Sequence, residues 1–174
     1  LHLTKNRTTA CAAICEVDMA DDSTELEFIE GGVTAPEGFS AAGAHIGFRK
    51  SPERFDAALV VSSAQDTVAT GTFTRNVFCA APVQVSRSVA AGGKARAVIL
   101  NSGIANAATG EPGRAASRAM QEITAQALSV PADEVFVAST GVIGVQLPTG
   151  PFETGVPQLV SKLSREGSHD AALA

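Results

Sequence analysis

A chain of 174 residues has the length of one ordinary domain with room for a real core, so a second full domain is not expected. Its aromatics are eight Phe, with no Trp or Tyr, so the interior must be close-packed from Ala, Val, Leu and Ile. Thirteen basic against eighteen acidic residues leave a formal charge of −5 and no basic stripe, which excludes nucleic acid as an expected partner.

No apolar run approaches the roughly 18 to 20 residues that cross a bilayer. ACAAIC, near the N-terminus, is shorter than a signal h-region. A soluble, cytoplasmic protein without membrane contact is expected. Residues 1 to 30 read as a peripheral arm or extension, and 31 to 174 as the domain proper. Cys11 and Cys15 would share one face of a helix, but no cluster completes a zinc set with them or with Cys79. Free thiols and no metal site are therefore expected. His2, His45 and His169 are scattered and lack an obvious Ser or Cys partner, so no conventional triad is visible.

Along the chain, GGVTAPEGFSAAGAHIGF (residues 31 to 48) reads as a covering loop leading into a strand. DAALVVSS (56 to 63) and TVATGTFT (67 to 74), rich in Val, Thr and Phe around a short AQD turn, predict a hairpin. CAAPVQVSRSVAAGG fits a short helix with Pro in its first turn and a glycine stop. ARAVILN (95 to 101) follows as a buried strand. In EPGRAASRAMQEITAQALSVP the residues Ala116, Met120, Ile123, Ala127 and Leu128 recur at helical spacing, opposite Arg114, Arg118 and Glu122, and the helix stops before Pro131. EVFVAST (134 to 140) is another strand. FETGVPQLVSKLS, broken by Gly155 and Pro157, and SHDAALA are weaker helices. This order predicts an α+β fold, a mixed sheet layered with helices.

Two strand ends are built from small residues. LNSGIANAATG (100 to 110) runs into the long helix, so Thr109 and Gly110 sit where the first backbone N–H groups lack partners and the helix dipole is positive. Thr109 can cap the helix through its hydroxyl, with Gly110, Asn101 and Asn106 forming turns. Equally, a backbone N–H with a hydroxyl or a second N–H could form an oxyanion hole. STGVIG (139 to 144) repeats the pattern, and its hydroxyls could hold a substrate carboxylate or amide or merely bond local backbone. Neither GxGxxG nor GxxxxGK[ST] occurs, which disfavours a nucleotide site.

GGVTAPEGFSAAG, ATGTFTRNVFCAAPV, AVILNSGIANAATG and ASTGVIGVQLP, in that order, resemble the α chain of the glutamate N-acetyltransferase family, also called ornithine acetyltransferase. The resemblance runs from about residue 31 to the C-terminus. It implies a precursor that cuts itself into α and β chains, the new N-terminal Thr of β becoming a nucleophile with its own amine nearby as a possible base. That Thr would take acetyl from N-acetylornithine and pass it to glutamate in a ping-pong cycle of arginine biosynthesis, needing no organic cofactor or metal. By the same resemblance Thr109 and Gly110 form the oxyanion hole and Thr140 binds substrate, while Thr74, Arg75 and Asn76 border the site or hold it together. The α chain, inactive alone, is completed by β-chain strands in an αβ unit, α2β2 or larger. Whether acetyl-CoA also serves as donor stays open. The sequence ends at DAALA, short of the family's Ala, Ile and Met before the Thr, and TGPFETG departs from the usual Met-Asp or Met-Glu continuation. Two rival readings remain: a self-cleaving amidase or aminopeptidase with water as acceptor, and a non-catalytic binding subunit that keeps the loops for packing.

Overall fold

The computed structural model describes residues 29–174. Most of the expected arm, with His2, Cys11 and Cys15, lies outside the described residues. Four strands form one sheet in chain order: β1 (Phe39–Ala44), β2 (Ala57–Ser62), β3 (Ala97–Asn101) and β4 (Val135–Ser139). β1–β2 and β2–β3 are antiparallel, whereas β3–β4 is parallel. A parallel pair needs a long crossover, and α2 (Gly110–Leu128) supplies it.

Registers Leu59↔Ile99 and Ile99↔Val137 align three buried side chains across the sheet. Onto this inner face pack Met120 of α2 and Phe152, Val156 and Leu159 of α3 (Gly150–Ser161), all of them fully buried. Phe48 and Phe152 pack with their rings tilted by 55° and their centroids 4.8 Å apart. The alternate residues Val98, Leu100 and Phe136 face outward and are only half covered. α1 (Ala81–Gly92) has Pro in its first turn and a left-handed Gly93 at its end, as expected. It closes the free edge of β4, where the Ser86 hydroxyl donates to the Val137 carbonyl (2.8 Å) and accepts from the Val137 N–H (3.1 Å).

The predicted 56–74 hairpin is corrected. β2 pairs instead with β1 on one side and β3 on the other, so TVATGTFT finds no vacant edge. That segment makes one isolated bridge, Val68↔Lys94, and then crosses to α1. The expected covering loop contains β1 itself. Its FSAAGA sequence is poor in β-branched residues, but Gly43 gives the reason for its composition. A Cβ there would lie 1.9 Å from the Asp170 carbonyl oxygen of α4 (Ser168–Leu173), which presses on the sheet at that point.

The expected break in α3 is absent as well. Gly155 admits Ile46, to which a Cβ would stand at 2.3 Å. Pro157 is exposed, and so is Glu153, the residue whose carbonyl loses its helical donor. The altered TGPFETG stretch starts this helix at Gly150, with Pro in its first turn.

Candidate active site

The two small-residue loops leave the neighbouring ends of β3 and β4 and stay paired beyond them. The Thr140 N–H donates to the Asn101 carbonyl (3.0 Å), Val142 N–H to Gly103 (3.0 Å) and Ala105 N–H to Val142 (3.0 Å). Gly141, at φ +132°, makes this possible, because a Cβ would lie 2.3 Å from the Gly103 carbonyl carbon. The parallel sheet is thus prolonged into two linked loops. Ligands of layered α/β proteins gather at such strand ends.

Thr109 is the residue before α2 but does not cap it through its side chain, which corrects one expectation. Its hydroxyl donates to Asn106 Oδ1 instead. Asn106 is 1% exposed and spends its amide on the Gly113 carbonyl (2.8 Å) and the Ser117 hydroxyl (2.9 Å). Sequence reasoning saw in Asn106 only a turn former. Its place three residues before Thr-Gly was the available signal.

The backbone here is unusual. Ala108 has φ +60° and Gly110 φ +66°, with right-handed Thr109 between them. Alternating hands turn successive N–H groups into one concavity, a nest for negative charge. The positive end of α2 begins at the same residue. Gln146 Nε2 donates to the Thr109 carbonyl (3.1 Å), tying the second loop to the first.

Thr109 and Gly110 form one wall of a cavity of about 250 Å³, faced by Phe78, Cys79, Gln84 and Arg114. The Arg114 guanidinium is held by Glu111 at 2.6 Å. Thr140 lies on the adjoining loop, exposed, and is not part of this wall. Thr74, Arg75 and Asn76 line a neighbouring opening that shares Val77, Cys79 and Gln84 with it. They fold as a turn in which Thr74 Oγ1 accepts from Asn76 N–H (3.2 Å) and Asn76 Oδ1 from Phe78 N–H (2.9 Å). His45 lies 2.8 Å from buried Asp56, and His169 is exposed on α4. Among the described residues, no three His, Cys, Asp or Glu side chains converge.

The sequence profile of the ArgJ family matches residues 40–174. The chain belongs to the ArgJ family. It is 46% identical over 147 residues to the arginine biosynthesis bifunctional protein ArgJ of Synechococcus, covering 84% of this chain and 35% of the relative. To that of Gloeobacter violaceus it is 44% identical over 151 residues, covering 86% of this chain and 37% of the relative. It therefore spans little more than a third of these curated relatives. Two solved ArgJ-family structures share its α+β fold. One is the ornithine acetyltransferase of Mycobacterium tuberculosis in complex with ornithine (TM-score 0.79, 45% identity, 83% of this chain and 78% of that one). The other is ArgJ of Bacillus halodurans (TM-score 0.77, 38% identity, 86% and 77%).

Proposed function

We propose that this chain is the α part of an acetyltransferase that moves acetyl from N-acetylornithine to glutamate in arginine biosynthesis. The nucleophile is the N-terminal Thr of a β part released by self-cleavage of one precursor. The two parts stay together as α2β2 or a larger assembly in the cytoplasm, and no organic cofactor or metal takes part. The single observation that carries this reading is the N–H concavity at Ala108–Gly110, opening on a cavity at the head of α2.

During acyl transfer the acetyl carbonyl oxygen gains a full negative charge as the nucleophile adds. Backbone donors already aimed at that position stabilise it without reorganising. Thr109 and Gly110 supply this half of the site. Thr140, on the linked loop, holds the amino-acid portion of the substrate.

Intact masses of every polypeptide made from the full reading frame, before and after N-acetylornithine, test the proposal. Two chains are expected, the second beginning with Thr and gaining one acetyl that glutamate removes. A single uncut chain that gains nothing would overturn it. Two chains whose acetyl is lost equally fast without glutamate would point to an amidase.

A further inference from the structure

Beside the Thr109–Gly110 cavity lies the second opening, of about 600 Å³, for which the reaction as described has no use. Thr74, Arg75, Asn76, Gln84 and Arg87 supply its polar lining. The two openings meet along Val77, Cys79 and Gln84, which line both.

Local sequence brings two guanidiniums to this opening. Gln84 and Arg87 stand three residues apart on α1, hence on one face of that helix, with Gln84 at the boundary between the openings and Arg87 beyond it. Arg87 Nη2 donates to the Thr74 carbonyl (2.8 Å), and its Cζ lies 5.8 Å from the centre of the Phe73 ring. These contacts hold the guanidinium at the opening and leave it further N–H donors. Arg75 stands in the turn that Thr74 and Asn76 brace, one residue past the carbonyl that Arg87 holds. Both arginines are exposed.

Their charge is uncompensated. No Asp or Glu lines either opening. Among the described residues neither Arg75 nor Arg87 pairs with a carboxylate, whereas Arg114 and Arg118 are both drawn to Glu111. In a chain of net charge −5 these two arginines make a local positive spot beside the candidate site. The planar guanidinium fork matches a carboxylate in both shape and charge.

We propose that Arg75 and Arg87 form a subsite for the side-chain carboxylate of the acyl acceptor and so set the preference for glutamate. This rests on the acetyltransferase reading above. The acceptor's α-amine must reach the acyl carbon at the oxyanion loop, which puts the amine end of glutamate in the Thr109–Gly110 cavity. Its side-chain carboxylate stands several bonds away, so it belongs in the neighbouring opening rather than the same one. The side chain of ornithine ends in an ammonium, which the same two cations repel. The pair therefore separates the two acceptors by attraction to one and repulsion of the other.

The test is steady-state kinetics of the enzyme made from the full reading frame, with each substrate varied in turn. Arg75→Gln combined with Arg87→Gln should raise the KM for glutamate about tenfold, the expected loss of charge-assisted hydrogen bonds, without a matching rise for N-acetylornithine. The preference for glutamate over glutamine, its uncharged analogue, should fall by a similar factor. Because the subsite is open to water, added salt should raise the wild-type KM for glutamate and leave that of the double variant nearly flat. Arg75→Lys with Arg87→Lys, which keeps both charges, should retain most of the preference. If the double Gln variant does not fold, Arg75→Gln alone, at its exposed turn position, reads the same ratio. Arginines that only brace the turn would instead cost kcat with both acceptors alike and leave the glutamate-to-glutamine ratio unmoved, which overturns the inference. A wild-type KM for glutamate in the Gln variant overturns it too. Either result leaves the acetyltransferase reading standing as long as N-acetylornithine still acetylates the enzyme. A wild-type enzyme that N-acetylornithine does not acetylate removes both.

Discussion

Thr109 has one hydroxyl proton, and Asn106 takes it. The Asn106 amide hydrogens already serve Gly113 and Ser117, so its oxygen can only accept, and the Thr109 hydroxyl must donate to it. Under the proposed function, the groups left for a developing oxyanion are backbone N–H, and the hydroxyl would work by holding the loop that presents them. Thr109→Ala should then lower kcat by about 10² with modest loss of stability. Unchanged turnover would show that the Thr109 hydroxyl is not needed to hold the loop that presents those N–H groups. Asn106→Ala should lower kcat comparably and also destabilise by about 1–3 kcal/mol, since it strands buried polar groups. The decisive comparison is the double variant: if Thr109 acts through Asn106, kcat should fall no further than in the worse single variant. Multiplying losses would mean that the hydroxyl itself touches the reacting oxygen.

At the scale of elements, the linked loops depend on Gly141. Gly141→Ala would drive a methyl into the Gly103 backbone at φ +132° and should unzip the 101–105 and 140–142 pairing. Faster amide exchange at Val142 and Ala105, with loss of activity greater than loss of melting temperature, is the expected result. Unaltered exchange at those amides would show that the pairing does not depend on this glycine. Periodicity made the helices and the β-branched strands β3 and β4 legible, because each buries one clean face. β1 was not legible, since Gly43 and its alanines were selected for close approach of α4 rather than for strand propensity. TVATGTFT has strand composition but no edge to join, and a vacant edge is a tertiary fact. Thr109 and Gly110 stood out from small residues at a helix entry and from family resemblance. Asn106 did not, because its meaning lies in contacts that spacing does not reveal.

For the whole molecule, exposed apolar side chains flank the candidate site. Val77 is 99% and Phe78 76% exposed on one side of the candidate site, and Val142 is 66% and Ile143 69% exposed on the linked loop. Val98 and Phe136 on the outer face of the sheet line an apolar cavity of about 460 Å³, which residues 70–73 also line. Scattered exposed hydrophobics are ordinary, but under the proposed function those beside the site are the ones a β part would cover. Nearly two thirds of each curated relative cited lies beyond the part this chain matches, which supplies ample polypeptide to cover them. Under the proposed function, residues 1–174 expressed alone should bind a hydrophobic dye and self-associate, while an αβ assembly should do neither. Val77→Ser combined with Ile143→Ser should reduce dye binding by the lone chain and weaken its association with β, since each loses apolar burial at about 25 cal/mol per Å². A lone chain that stays monomeric and dye-silent would mean that these side chains pack on their own protein, and the partner would have to be sought on another face.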